Sequence, residues 1–145
     1  SDGDINVKID KGVVYVDISD KLLFKSGSFE ITPKAKTVLG KVAKVLAAQP
    51  SIEFMVEGHT DSKQLIGNSN GIEDNWDLSV KRATTVVRIL QETYSIDPKR
   101  MTAAGRSEYL PLVENNTAEN RARNRRTRIV ILPQLDQFFN LLEKK

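Results

Sequence analysis

Three short segments of the chain are rich in β-branched and aromatic residues, the composition typical of β-strands, and a fourth short segment follows the turn at Asp97-Pro98. The first is Val13-Val14-Tyr15-Val16-Asp17-Ile18. The other three are 52–57, 100–105 and 128–132. Each is bounded by glycine, proline or polar residues, as short strands in compact domains usually are. We therefore predict four strands.

Apolar residues recur at helical spacing between these segments. Thr32 and Pro33 suit the cap and the first position of a helix, and an i, i+3, i+4, i+7 pattern continues to Leu46 before Gln49-Pro50 ends it. The same spacing predicts helices over 75–94 and 117–124. A final apolar stripe predicts a terminal helix over 133–145 that closes the domain's own core. Its members are Leu135, Phe138, Phe139 and Leu142.

The predicted strands and helices alternate along the whole chain, which indicates an α/β sandwich with a sheet that is at least partly parallel. Ligands in such folds bind at the carboxyl ends of the strands, where the loops gather. Two loops are predicted there. One covers 21–29 around Gly27, and the other is the long segment 58–74, which contains Gly67-Asn68-Ser69-Asn70-Gly71. Loops of that length are usually functional or mobile.

Composition narrows the choice of function. The 145 residues fit a single domain, for which we predict a core over about 13–132. Cysteine is absent and His59 is the one histidine, which excludes disulfide scaffolds, cysteine nucleophiles and multi-histidine metal cages. The net charge of 22 − 19 = +3 permits an anionic partner without requiring one. Aromatic residues, at 6%, are too few for a surface that stacks bases.

The amino terminus has neither the charged nor the apolar region of a signal peptide. No segment reaches the roughly 18–20 apolar residues that a membrane span requires. We interpret the start, Ser1-Asp2-Gly3-Asp4, as a cut inside a longer protein. A tether or export signal would then lie upstream.

A first candidate for chemistry is Gly58-His59-Thr60-Asp61, at the exit of the second predicted strand. Asp61 is placed to present a carboxylate at the mouth of the sheet. The simpler interpretation is an aspartate that closes an Asx turn, and the fragment alone favours that interpretation.

A second candidate is Arg82, which follows Leu78 by one helical turn and so borders the apolar face. A guanidinium held there can form two parallel hydrogen bonds with a carboxylate. An arginine whose side chain runs along the helix edge into water fits the same spacing.

A third candidate is the arginine cluster at 121–128, which has five arginines in eight residues. Such a cluster binds phosphate or RNA, or forms a solvated corner between a helix and a strand. Taken alone, the pattern favours the solvated corner.

Together, five ordered motifs resemble the OmpA/MotB C-terminal family of peptidoglycan-binding domains, over about Val14 to Leu132. The motifs are Leu23-Phe24-Lys25-Ser26-Gly27 with Ile31-Thr32-Pro33; Glu57-Gly58-His59-Thr60-Asp61; Asn75-x-x-Leu78-Ser79-x-x-Arg82-Ala83; Gly105 before the Glu108/Pro111 turn; and Asn120-Arg121-Ala122-x-Asn124-Arg125-Arg126. The fragment Asn75-Trp76-Asp77-Leu78-Ser79 is most similar to the motor-stator (MotB-like) branch.

The resemblance implies a two-layer sandwich of helices on a four-stranded mixed sheet, in β-α-β-α-β-α-β order with an added C-terminal helix. It also implies non-covalent binding of peptidoglycan through meso-diaminopimelate, whose free end carries an ammonium and a carboxylate. Asp61 would pair with the ammonium and Arg82 with the carboxylate, a combination suited to a zwitterion. The remaining positions carried over as ligand-binding are Thr60, Asn75, Leu78, Arg125 and, through its backbone, Gly27. His59 is expected to hold the strand exit in place.

The chain departs from the family pattern at two places. The separation from Asp61 to Asn75 is longer than in many members, and Ser62 stands where asparagine is frequent. Gly27 replaces an asparagine found in some members, which leaves backbone contacts only. The long loop is expected to cover the cleft, to touch glycan or to be neutral.

Other functions are less well supported by the sequence. No nucleophile and base stand at an identifiable spacing, so we expect no enzyme, and neither a cofactor nor a metal. RNA binding would rest on the arginine cluster alone, and we expect no nucleic-acid partner. The alternative function is a subunit of an envelope machine, such as a motor stator or secretion apparatus, that uses this domain mainly for protein partners; this alternative is compatible with wall binding. The expected location is the periplasm, attached to the inner or outer membrane by a tether outside this chain, with a homodimer as one possible assembly.

Overall fold

The computed structural model describes residues 4–64, 71–132 and 141–143. A five-stranded sheet is formed by β1 (Ile5–Asp10), β2 (Val13–Ser19), β3 (Phe54–His59), β4 (Met101–Gly105) and β5 (Arg126–Ile131). The helices are α1 (Asp20–Leu23), α2 (Pro33–Ala47), α3 (Asn75–Glu92) and α4 (Ala118–Asn124). None of the helices in these ranges is long and apolar enough to cross a membrane.

The sheet is mixed, as predicted, with the strand order β1-β2-β5-β3-β4. β3 and β4 are parallel, whereas the other neighbouring strands are antiparallel. The core lies between this sheet and helices α2 and α3. Its most deeply buried members include Leu39, Phe54, Val56, Val86 and Ile129.

The predicted number of four strands is wrong, because β1 adds a fifth at the edge of the sheet. β1 and β2 form a hairpin around Lys11 and Gly12, which both have positive φ angles (52° and 81°), as tight hairpin turns require. The strand alternates apolar and polar residues, yet Val7 and Ile9 are 62% and 72% exposed. The alternation of Ile5, Val7 and Ile9 with polar residues is a strand signal that the sequence interpretation did not use.

Two further expectations need correction or lie outside the described structure. The predicted loop over 21–29 begins with the single helical turn α1, and a bridge between Phe24 and Ile31 closes the rest of it. Most of the predicted terminal helix over 133–145, with Leu135, Phe138 and Phe139, lies outside the described residues. Leu142 lies within them and is 51% exposed. The single-domain boundary stays a prediction.

Helix α3 packs unusually close to the sheet because two strand ends carry glycine. A Cβ atom at Gly58 would lie 2.1 Å from the Ser79 carbonyl oxygen, and one at Gly105 would lie 2.4 Å from the Ser79 hydroxyl. The Ser79 hydroxyl in turn accepts a hydrogen bond from the backbone N–H of Ser107 (3.1 Å). Ser79 lies one turn before Arg82, so this contact determines how deeply the Arg82 side chain is buried.

This close approach predicts the effect of a single methyl group. Gly58→Ala should lower the free energy of unfolding by about 1–3 kcal/mol or more, because backbone must move to admit the new Cβ. The measurement is urea unfolding followed by circular dichroism. Gly40→Ala in α2 is the matched control, since the nearest atom there is the phenol oxygen of Tyr94, at 3.0 Å. An equal loss in both variants would contradict this account.

Candidate functional site

A cleft of about 450 Å³ opens where β3 ends and α3 begins. Its lining residues come from four separate parts of the chain: Ser26, Gly27, Thr60, Asp61, Lys63, Gln64, Asn75, Leu78, Arg82, Ala118, Arg121 and Arg125. All seven residues that the sequence predicted as ligand-binding are in this set. The structure therefore brings them together, while their contact with a ligand stays a prediction.

Asp61 is buried at the exit of β3 and uses both carboxylate oxygens. Oδ1 accepts a hydrogen bond from the backbone N–H of Lys63 (2.9 Å), which closes the Asx turn that the fragment favoured. Oδ2 accepts from Nη1 of Arg125 at 2.5 Å. The Asp61 carboxylate thus stabilises the turn and also places a negative charge in the lining of the cleft.

Side chains and backbone hold this strand exit in place. The backbone N–H of Thr60 donates to the Ser107 carbonyl (2.9 Å), and the Thr60 hydroxyl donates to the Asp61 carbonyl. The Asn75 amide donates to the carbonyl oxygens of Lys63 (3.0 Å) and Asp61 (3.3 Å). Asn75 lines the cleft as predicted, but its amide nitrogen serves to fasten the loop to the first turn of α3.

Arg82 is 2% exposed, so it does not extend along the helix edge into water. Its Nε donates to the Ser28 carbonyl (2.8 Å), Nη1 lies 2.5 Å from Oδ1 of Asp20, and the guanidinium stacks 5.0 Å from the centre of the Phe24 ring. Burial lowers the pKa of Arg82, and the charge of Asp20 opposes that shift. Arg82 Nη2 is buried and has no hydrogen-bond partner among the described residues.

The sequence interpretation missed Asp20, which contacts two arginines of the cleft. It also did not predict five of the lining residues as ligand-binding: Ser26, Lys63, Gln64, Ala118 and Arg121. Asp20 is 7% exposed and starts α1, directly after β2. Its Oδ2 lies 3.8 Å from Nε of Arg125, so one carboxylate contacts two arginines. Burial raises the pKa of Asp20, although Arg82 and Arg125 both act to lower it. No local pattern in the sequence connects this aspartate with an arginine on α3.

The arginine cluster is divided among four environments, and the expected solvated corner is wrong for most of it. Arg121 and Arg125 line the cleft. Arg128 forms two hydrogen bonds with Asp17 (2.7 and 3.0 Å), the residue directly opposite it on β2. Arg126 is buried and donates to two carbonyl oxygens, and burial lowers its pKa to about 10. Arg123 is exposed and lies outside the lining of the cleft.

His59 lies beneath the strand exit and is 1% exposed. Its Nε2 is 2.7 Å from Oε1 of Glu57, which also contacts Arg106. Burial lowers the pKa of His59, and the hydrogen bond to Glu57 only partly offsets that effect. This position agrees with the expected supporting role and keeps the ring out of the cleft lining.

Known proteins match most of the chain. The model of the OmpA family matches residues 23–125. Motility protein B from Bacillus subtilis is 31% identical over 130 residues, which are 90% of this chain and 49% of that protein. The protein YtxE from Bacillus subtilis is 34% identical over 84% of this chain, which covers 49% of that protein. The chain therefore spans about half the length of the curated relatives it matches.

Solved structures agree with this match. A MotB-like protein from Desulfovibrio vulgaris superposes with a TM-score of 0.83 at 33% identity, covering 91% of this chain and 80% of that one. The cell wall anchor of the T6SS from Pseudomonas aeruginosa superposes with a TM-score of 0.80 at 31% identity, covering 90% of this chain and 89% of that one.

The burial of His59 predicts a dependence of stability on pH. A histidine pKa that is lower in the folded state than its ordinary value of 6.5 means that the unfolded chain binds the proton more readily. The contribution of His59 to the free energy of unfolding is therefore complete above pH 6.5 and is lost as the pH falls below it. Between pH 7.5 and 5.5 we expect the free energy of unfolding of the parent to fall by more than that of His59→Gln. Equal slopes in urea unfolding would contradict this assignment.

Proposed function

This chain belongs to the OmpA family, and on that basis we propose that it binds cell-wall peptidoglycan without cutting it. It would thereby anchor an envelope protein or complex to the wall. One similar protein supports this proposal by its description, the cell wall anchor of the T6SS from Pseudomonas aeruginosa. The proposed location is the periplasm, with any membrane attachment lying outside this chain.

The proposed ligand is the free end of meso-diaminopimelate in the peptide stem, which carries an ammonium and a carboxylate on one carbon. One observation carries this assignment. The cleft that contains the buried carboxylate of Asp61 also contains a buried guanidinium, Arg82, whose Nη2 lacks a partner in the described part of the chain. Unpaired buried donors are costly and therefore uncommon. A ligand carboxylate would satisfy this one.

The ligand ammonium would bind Asp61. A carboxylate offers about four lone-pair positions. Two of those on Asp61 are occupied, one by the backbone N–H of Lys63 and one by Nη1 of Arg125. An ammonium can therefore bind Asp61 while both internal hydrogen bonds persist. The aliphatic part of the ligand would pack on Leu78, the apolar member of the cleft lining that is 5% exposed.

The ligand carboxylate would bind Arg82 and Arg125. The two-pronged pairing expected for Arg82 needs revision, because Ser28 and Asp20 already engage two of its three nitrogens. Arg125 is partly exposed and also lines the cleft, so it is placed to supply further donors. Thr60 and Gly27 complete the proposed contacts, Gly27 through its backbone at a φ angle of 65°.

We assign no catalytic step to this cleft. Of the described lining residues, Ser26 and Thr60 carry hydroxyl groups, and neither is hydrogen-bonded to a histidine or a carboxylate. A nucleophile without a neighbouring base is weak at neutral pH. A role as subunit of a larger envelope machine is compatible with wall anchoring, and the same cleft would serve it.

Removal of either charged group should abolish wall binding. Loss of one partner from a sequestered charge pair typically costs about 2–5 kcal/mol, so Asp61→Ala and Arg82→Ala should reduce co-sedimentation with purified peptidoglycan sacculi at least tenfold. Both variants should show a cooperative thermal transition by circular dichroism, which separates lost binding from lost folding.

Arg123→Ala is the matched control, because it removes an exposed arginine outside the cleft. It should sediment with sacculi as the parent does. If a folded Asp61→Ala or Arg82→Ala variant sediments like the parent, the proposed role is wrong at that position. A large loss in Arg123→Ala would instead mean that the exposed part of the arginine cluster binds the wall.

A further inference from the structure

Four charged side chains of alternating sign form a continuous network that runs from the cleft into the protein. Asp61 contacts Arg125 at 2.5 Å, Arg125 lies 3.8 Å from Asp20, and Asp20 contacts Arg82 at 2.5 Å. Three of the four side chains are at most 10% exposed, and Arg125 is 34% exposed. Two carboxylates and two guanidiniums give this network of four side chains a net charge of zero.

Asp20 differs from the other three because it does not line the cleft. It also lies outside residues 23–125, over which the family model matches. Its two oxygens face two different arginines that do line the cleft, Arg82 and Arg125. Any effect of Asp20 on a ligand therefore passes through those two residues.

The contact with Asp20 limits the donors that Arg82 can offer. Nε is held by the Ser28 carbonyl and Nη1 by Asp20, which leaves Nη2. With Asp20 neutral, Nη1 would have only a weaker partner and would be available to a second anionic oxygen. Asp20 thus sets the number of guanidinium nitrogens that a ligand meets on Arg82.

The charge of Asp20 also affects the balance of positive and negative charge in the cleft. Without it, the two guanidiniums of this network would face the single carboxylate of Asp61. The cleft lining also carries two more cations, Arg121 and Lys63, so the added excess of positive charge would favour a ligand with a second anionic group. A buried charge that lacks a counter-charge is strongly unfavourable. With Asp20 ionised, a ligand that is itself neutral overall, with one ammonium and one carboxylate, leaves the charges of these four side chains matched.

We propose that Asp20 is a specificity-determining residue that makes this cleft select a zwitterion over a dicarboxylate. It does so by holding Arg82 and by neutralising one of the two cleft guanidiniums that it contacts, those of Arg82 and Arg125. This inference rests on the proposed zwitterionic ligand. A purely structural ion pair would behave differently, because its loss would weaken every ligand by the same factor.

The test is a calorimetric titration with two probes of equal chain length, meso-diaminopimelate and pimelate, which has both carboxylates and neither ammonium. The parent should prefer meso-diaminopimelate about tenfold or more. In Asp20→Asn, binding of meso-diaminopimelate should weaken while binding of pimelate strengthens, so that the ratio of the two affinities falls about tenfold or more. Asp20→Glu, which keeps the charge, should retain most of the preference.

Asp10→Asn is the charge-matched control, since it removes an exposed carboxylate at the opposite end of the β1–β2 hairpin. It should leave the ratio unchanged. An equal weakening of both probes in a folded Asp20→Asn variant, or an unchanged ratio, overturns the role of Asp20 and leaves the proposed function standing. A parent that binds neither probe overturns the zwitterion site itself.

If Asp20→Asn does not fold, Asp20→Ser replaces it, because the smaller side chain leaves room for a water molecule on Arg82. Whether or not these variants fold, equal affinity of the parent for the two probes would overturn the inference, since a cleft that selects a zwitterion must distinguish them.

Discussion

The arrangement of this protein around its cleft depends on the burial of one guanidinium group, that of Arg82. A buried cation is tolerated only when it has a counter-charge and hydrogen-bond acceptors. Asp20 supplies the charge from the start of α1, Ser28 supplies a carbonyl oxygen from the turn that follows, and Phe24 supplies a ring face. These groups must surround Arg82 together, which ties the β2–α1 segment to helix α3.

The same requirement explains the close packing of α3. Glycines at the ends of β3 and β4 allow the Ser79 backbone to approach the sheet at a distance that a Cβ atom would prevent. This contact places the first turn of α3 beside the exit of β3, where Asn75 holds the loop that carries Asp61. The cleft is therefore built from a strand end and a helix start whose separation is set by backbone contact. Such a site needs little rearrangement to meet a small charged ligand.

Much of this fold and of the cleft could be predicted from the sequence, for identifiable physical reasons. The long helices α2 and α3 have a strong apolar period, and the three central strands are apolar because both neighbours and a helical layer cover them. Asp61 and Arg82 stand in motifs whose spacing carries the resemblance. Strand β1 was missed although its residues alternate apolar and polar, because the pattern covers only six residues; Val7 and Ile9 remain exposed at the edge of the sheet.

Long-range pairs were also beyond the sequence interpretation. Asp17 meets Arg128 because β2 and β5 are neighbours in one register, and the strand order was unknown from the pattern. Asp20 meets Arg82 only after α3 has packed on the sheet. A polar residue in a short apolar segment indicates nothing about its partner, so the two carboxylates that neutralise the arginines became visible only in three dimensions.

The most direct test of the central claim is a crystal structure of the protein with meso-diaminopimelate. This account predicts one carboxylate of the ligand within hydrogen-bond distance of Arg82 Nη2 and the ammonium on the same carbon against Asp61, with the contact between Arg82 and Asp20 intact. A ligand bound elsewhere on the protein, or one that reaches the cleft only after Arg82 leaves Asp20, would contradict it.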